Sequence, residues 1–308
     1  MIYTKVLEMI LPVIAMILIG AIAGKKQIFE QKDIAAIKKF AVNISLTAVV
    51  LNAFSTAEYT LKTLIIPIII FSVCFVLWGV GKLIVKAKPE IGIYLPYVLT
   101  GFEAGMLGYT LYAILYGTSN LSAFATVDLG QVLFVFTFYK ISLSRDTAKE
   151  NINIKKEIFT SPIILGILVG IVIGTSGLYT QLQNWQVAGI FDGVLNFIAA
   201  PTSALILFSI GYDLVIGKIE WNKAFKFAFL RLIILAVFGG LTIFIIHTLF
   251  GVDQSLDRAI ILMFLLPPPF VLPIFADDKT EQSTLASVLS ISTTFTLVAF
   301  IVLASLSV

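Results

Sequence analysis

The sequence predicts an all-α polytopic membrane protein: ten transmembrane helices as two inverted five-helix repeats, with helices 4 and 9 broken and crossed. Three observations carry this. The 308-residue chain is 59% hydrophobic and only 13% charged, with a mean hydropathy of +1.02, where a soluble domain carries roughly 25% charged residues. Its lysines and arginines concentrate in alternate loops. A proline–glycine–glycine pattern near the start returns 150 residues later.

A helix needs about 20 mostly apolar residues to cross ~30 Å of hydrocarbon. Stretches of that kind fall at residues 6–24, 34–54, 61–85, 91–117, 121–144, 159–179, 186–212, 222–250, 255–275 and 282–307. The first resembles a signal peptide, with Lys5 before the apolar run and Ala21-Ile22-Ala23 as a cleavage-like triplet. Its length, the interruption at Glu8 and its echo later in the chain make it a first span instead. The longest polar stretch, 144–157, joins two halves: a first repeat at 1–144, a cytoplasmic linker at 145–158 and a second, inverted repeat at 159–308.

Basic residues mark the cytoplasmic side of a membrane protein. Lys25, Lys26, Lys32, Lys38 and Lys39 follow the first span, and Lys82, Lys86 and Lys88 the third. Lys140, Arg145, Lys149, Lys155 and Lys156 follow the fifth, Lys218, Lys223, Lys226 and Arg231 the seventh, and Lys279 the ninth. Of the 21 basic residues only Lys5, Lys62 and Arg258 fall on the other side. This places both termini outside.

The repeat is read from PVIAMILIGAIAG at 12–24 and PIILGILVGIVIG at 162–174, identical at six of thirteen positions. NISLTAVVLNAFS at 43–55 is echoed by NFIAAPTSALILFS at 196–209. An odd number of spans between copies reverses their direction, an organisation common in secondary transporters, whose sites lie at the repeat interface.

The ninth span contains LLPPPFVLPIF, 265–275. Each proline removes a donor and clashes with the preceding turn, so no continuous helix survives. Its repeat partner, TGFEAGMLGYTLY at 100–112, carries Gly101, Gly105 and Gly108 with Glu103 beside them. Two antiparallel broken helices then cross midway. Outgoing half-helices starting near Tyr109 and Ile274 point positive dipole ends inward, and the incoming halves offer free carbonyls. The first suit an anion, the second a cation.

Glu103 and Asp128 are the deepest charges, and a carboxylate at that depth is costly unless paired or used. Gln131 lies three residues after Asp128 on the same helical face. Glu8, Asp192 and Asp213 read as interfacial. No arginine or lysine is expected deep in the membrane. An anionic substrate would then rely on helix dipoles, backbone N–H groups, Asn43, Gln131 and Thr294. A polar row at Ser287, Ser290, Ser292, Thr293 and Thr294 marks the tenth span and suits either a site or helix packing.

One cysteine, Cys74, and one histidine, His247, exclude an internal disulfide and argue against a Cys/His metal site or a His-based triad. There is no H-E-x-x-H, no GxGD aspartate pair and no P-loop, which argues against an enzyme or an ATP-driven pump. No basic block calls for nucleic acid.

Taken in order, ILPVIAMILIG, NISLTAVV, EAGMLGYTLYAILYG, DLGQVLF, APTSALILFSIGYDL, PPPFVLPIFADD and TLASVLSISTTFTLV resemble the auxin efflux carrier family over nearly the whole chain. Its bacterial members look like malate, malonate or other organic-anion permeases. The resemblance implies a scaffold side, a transport side and a substrate beside the crossing of helices 4 and 9. It places Asn43 and Thr47 on the second-helix motif, and Glu103, Gly105, Gly108 and Tyr109 on the fourth. Asp128 and Gln131 fall on the fifth-helix motif, and Pro268, Pro269, Phe270 and Pro273 on the ninth. Two departures bear on substrate and coupling. Thr47 stands where the family commonly has proline, whereas its seventh-helix counterpart keeps Pro201, and Glu103 stands near where relatives often carry an amide.

The expected function is a carrier moving a small organic anion, a dicarboxylate such as malate or malonate or an auxin-like weak acid, across the plasma (inner) membrane by alternating access. The alternative is a sodium- or proton-coupled carrier or antiporter, of the bile-acid-symporter or sodium–proton-exchanger type, using Glu103 and Asp128. No cofactor is called for beyond a coupling proton or sodium ion. The expected partners are the substrate, the bilayer and a second copy in a homodimer.

Overall fold

In hydrocarbon every backbone N–H and C=O must find a partner within the protein, so apolar runs of this length can only become helices. The computed structural model describes residues 2–57, 59–147, 160–216, 221–270, 272–275 and 279–306. Everything regular in them is helical. The first half holds α1 (Ile2–Lys25), α2 (Gln31–Ser55), α3 (Leu61–Ala87), α4 (Leu95–Leu99), α5 (Tyr109–Tyr116) and α6 (Thr118–Asp146). The second half holds α7 (Pro162–Thr175), α8 (Leu178–Asn184), α9 (Ala188–Ala199), α10 (Thr202–Ile216), α11 (Trp221–Phe250), α12 (Gln254–Leu265) and α13 (Lys279–Leu306).

Among the described residues six continuous stretches are long and apolar enough to cross a membrane: α2, α3, α6, Ala188–Asp213, α11 and α13. The pair α7–α8, bent by 62°, makes a seventh if counted as one. The protein is therefore a multi-pass helical membrane protein. The remaining expected spans are helical but short or interrupted. The fourth is split into α4 and α5, and the ninth stops at Leu265. Near Ile274, where a second half-helix is expected, the described residues form a 3₁₀ turn, Leu272–Phe275, and residues 276–278 lie outside the described residues. The seventh is one continuous span in which the helix pauses briefly at Ala200–Pro201, between α9 and α10. Of the expected linker 145–158, residues 148–158 lie outside the described residues, as do Lys149, Lys155, Lys156 and Lys218.

Packing follows two bundles rather than the two chain halves. In one, α1 lies along α10 while α7 and α9 lie along α2. In the other, α3 packs on α6 and α4, α12 on α6, and α11 on α12 and α13. Between apolar helices in lipid the attraction is close contact, which small residues permit. The seams are built that way. A Cβ on Gly20 would lie 2.0 Å from the Phe208 carbonyl oxygen, and one on Gly211 would lie 2.0 Å from that of Ile17. Gly166, Gly170 and Gly174 of α7 meet α2 at Thr47, Phe54 and Ser55 in the same manner.

Ion pairs tie helix ends. Lys38 pairs with Asp213, Lys82 with Asp146, and Lys62 with Asp253 at 2.5 Å. Asp253 also caps α12, accepting from the Ser255 and Leu256 amides at 3.0 and 3.2 Å. Partial burial works to raise its carboxyl, but Lys62 and these two amides hold it below the ordinary aspartate value. His247 meets Asp257 at 2.7 Å and joins α11 to α12.

Candidate functional site

The site begins with the backbone of the two breaks. Helix α4 is five residues long and wholly buried, with Pro96 in its first turn. It ends because Thr100 is extended and Gly101 turns left-handed at φ +71°, a conformation that costs glycine little and other residues more. A Cβ at Gly101 would also lie 2.9 Å from Pro269 Cγ, so the two breaks are in direct contact. The chain resumes through a π-helical turn, Ala104–Gly108, which feeds α5. Gly108 packs under Phe124 and Leu266.

A buried break leaves backbone groups that must be paired, and several of them find partners across the crossing. Glu103 clasps the opposite break twice: its N–H donates to the Pro267 carbonyl at 2.9 Å, and its Oε2 accepts from the Phe270 N–H at 2.7 Å. The Gln131 side chain clamps Phe102, with Nε2 donating to the Phe102 carbonyl at 3.3 Å and Oε1 accepting from its N–H at 3.4 Å. The same Nε2 also donates to Asp128 Oδ1 at 3.1 Å. Tyr139 donates to the Tyr97 carbonyl at 3.1 Å, and Thr296 to that of Leu265 at 2.5 Å. Asp128 is 3% exposed. Tyr109 is buried beside it, without a well-formed hydrogen bond of its own.

Arg231 corrects the sequence reading. Counted there with loop charges, it is 2% exposed and enters the crossover from α11. Nη1 donates to the Val98 carbonyl, and Nη2 donates to those of Gly101 at 3.1 Å and Leu266 at 3.0 Å. Its guanidinium also lies 5.2 Å from the Phe102 ring centre. The free carbonyls expected at the ends of the incoming half-helices are thus occupied by a cation from within the chain. The signal for this was positional. Arg231 is the eleventh of 30 residues in α11, and ten steps of ~1.5 Å put it ~15 Å along the helix.

The other sequence-picked residues scatter. Pro268 is buried in the break, where the Pro269 carbonyl accepts from Leu272 at 3.0 Å, and Pro273 lies in the 3₁₀ turn. Gly105 approaches Leu46 of α2. Asn43 sits in a π-helical turn of α2, where its carbonyl accepts from the Thr47 hydroxyl at 3.0 Å. The Thr47 methyl and carbonyl face Gly166 in the α2–α7 seam. Thr294 is exposed and bonded to the Ser290 carbonyl of its own helix at 2.9 Å, as Ser287 and Ser290 are to Ser283 and Ala286. From α13 it is Thr296 that reaches the breaks.

Beside the crossover, cavities open between the two bundles. One of about 190 Å³ is bounded by Val49, Tyr109, Thr110, Asn196, Thr202 and Ser203. It shares Val49, Thr118 and Asn196 with one of about 420 Å³ that adds Asn52, Ser122, Tyr179 and Asp192. A third, of about 460 Å³, shares Thr56 and Ser122 and reaches Lys62 and Asp253. Tyr109 alone joins this cavity system to the residues picked from the sequence. Asp192, read as interfacial, accepts from the Tyr179 hydroxyl at 2.9 Å in its wall. Asn52 Nδ2 approaches Asn196 Oδ1 at 3.5 Å across it.

The chain matches the family model described as membrane transport protein over residues 5–304. It is 21% identical over 281 residues to the uncharacterized transporter YfdV of Escherichia coli strain K12, covering 85% of this chain and 84% of the relative. The YfdV proteins of Escherichia coli O157:H7 and Shigella flexneri match to the same extent. A multi-pass helical chain matched by a transporter family from end to end is a membrane transporter, and this one belongs to the membrane transport protein family, of the auxin efflux carrier type.

Proposed function

We propose that the chain is a secondary carrier that crosses the plasma (inner) membrane ten times and moves a small organic anion by alternating access of its two bundles. The observation that carries this is the polar cavity between the bundles, ending at Tyr109 beside the crossover. Its wall presents amides and hydroxyls from both bundles, the groups a carboxylate uses when no free cation is at hand. The Asp192 carboxylate favours a substrate that also carries a donor, such as a hydroxy acid of the malate type or a weak acid entering protonated.

Ten crossings follow if α1, α4 with α5, α7 and α12 join the six continuous stretches. The glycine seams support the inverted repeat. Gly20 and Gly24 of α1 lie on α10, and their counterparts Gly170 and Gly174 of α7 lie on α2, an exchange of partners that a twofold relation requires. The cavities are rimmed by Thr56, Ser119 and Asp253, on the side poor in lysine and arginine. With both termini outside, as the basic residues favour, this corresponds to an outward-facing state.

Uptake of radiolabelled malate, malonate and aromatic weak acids into proteoliposomes tests the reading. Saturable uptake of one of them, reduced at least tenfold by Asn196→Ala with the melting temperature kept, is expected. If none of these acids moves, the substrate class is wrong.

A second reading, proton coupling, is favoured by the burial of Asp128 with Gln131 beside it. Unchanged pH dependence of uptake in Asp128→Asn would remove it.

A further inference from the structure

We propose that Arg231 is the resident cation of the crossover. Its guanidinium stands where a bound monovalent metal ion would otherwise sit, so the breaks need no sodium, and removing it opens a sodium-accepting cage. The proposal deepens the carrier reading, but its test requires no transport.

Three carbonyls converge on the guanidinium, and they come from both breaks: Val98 and Gly101 from the end of α4, and Leu266 from the end of α12. The last carbonyls of a helix carry its negative dipole end, and here two such ends meet. Carbonyl oxygens in a ring are also the ligand set with which proteins replace the hydration shell of an alkali cation. The positive charge required at this point is supplied by the chain. It comes from a third helix, α11, otherwise apolar at this level, so it is not a by-product of forming the breaks. Phe102 closes the guanidinium face at 5.2 Å, and Ala228, Leu235 and Phe264 surround it with apolar surface.

Arginine fits the role better than lysine would. Its planar fork can donate to several acceptors at fixed angles and never deprotonates, whereas an ammonium is a point charge on a flexible stem. The opposite polarity is also supplied internally, since the Glu103 carboxylate accepts the Phe270 N–H of the second break. Both charges that the broken helices call for are tethered. The substrate is left to the cavity, and sodium has no vacancy at the carbonyls.

The experiment uses the full-length protein purified in detergent, melted in equal concentrations of sodium chloride or choline chloride, and in choline chloride with low-millimolar guanidinium. Wild type should melt at the same temperature in all three. Arg231→Ala should melt about 5 °C or more lower in choline, and regain at least half of that loss with sodium or guanidinium. Arg231→Lys should fall between the two and gain little from either cation. If Arg231→Ala is too unstable to purify, Arg231→Gln gives the same comparison. Selective stabilisation of wild type by sodium over choline would overturn the proposal, because a metal cation would then bind while the guanidinium is in place. A destabilised Ala or Gln variant that neither cation restores would overturn it too, leaving Arg231 as a packing group.

Discussion

Gln131→Leu tests whether the α4 break is held by one side chain. Leucine conserves most of the volume but removes the amide that contacts three groups at once: the Phe102 carbonyl at 3.3 Å, the Phe102 N–H at 3.4 Å and Asp128 Oδ1 at 3.1 Å. These are long bonds, and side-chain hydrogen bonds within membrane proteins average about 0.6 kcal/mol, reaching about 1.7. Three of them give about 2 kcal/mol. At roughly 2–4 °C per kcal/mol for a chain of this order of size, the melting temperature should fall by about 4–8 °C. The assay is a thermal melt of the purified variant in detergent. Adding Asp128→Leu should cost less than the sum of the two single changes, because the second removes a carboxylate that the first has orphaned. A Gln131→Leu protein melting within about 1 °C of wild type would refute the clamp. Strict additivity in the double variant would refute the coupling to Asp128.

Asp253 gives a pH prediction. The folded protein holds this carboxyl below its ordinary value, so the unfolded chain takes up the proton first as pH falls. The stabilisation is whole above about pH 4, the unfolded value, and drains away as pH drops through the folded one. Melts from pH 6 to about pH 3 should show a steeper fall for wild type than for Asp253→Asn, which keeps the cap but loses the Lys62 charge pair. Parallel curves would count against it. The half-exposed pair itself contributes little, about 1 kcal/mol or less, and Asp253→Ala should cost about 1 kcal/mol more for the lost cap. Gly211→Ala should be severe, since its Cβ would lie 2.0 Å from the Ile17 carbonyl oxygen, whereas Gly240→Ala meets nothing within 4 Å and should leave the melting temperature unchanged or slightly higher. Equal effects in the two would mean that α1 and α10 are not in close contact.

Hydropathy located the helical segments because a span is a local property, and prolines 267–269 located one break because proline acts on its own turn. Glu103 was legible for a similar reason: a carboxylate in an apolar run announces its cost. Its partner was not legible, since nothing local links Phe270 to residue 103. Arg231 was misread because its neighbours Lys223 and Lys226 resemble a loop cluster, and only helix length along α11 separates it from them. The cavity was least visible. Asn52 lies some 140 residues before Asp192 and Asn196, which share α9, and an amide in an apolar helix looks the same whether it faces a neighbour or a void. Thr294 was chosen by residue type and Thr47 by its place in a motif, and neither fixes which way a helix faces.

The contrast between seam and cavity yields a last prediction. Within one bundle, α2 and α7 meet backbone to backbone, and a Cβ at Gly170 would lie 2.7 Å from Phe54 Cβ and 2.9 Å from the Leu51 carbonyl oxygen. Between the bundles lies a cavity of about 190 Å³ bordered by Asn196. If the bundles move as units, the seam bears on stability and the cavity on turnover. Gly170→Ala should then lower the melting temperature but leave uptake per folded molecule within about twofold, because helices packed like a crystal shift together or not at all. Asn196→Trp should do the reverse: its indole fills space that is already empty, so the fold tolerates it, while substrate loses its place and the bundles lose room to close. Uptake should fall at least tenfold at an unchanged melting temperature. The opposite pattern, turnover sensitive at Gly170 and stability sensitive at Asn196, would mean that the moving boundary runs through the α2–α7 seam rather than through the cavity.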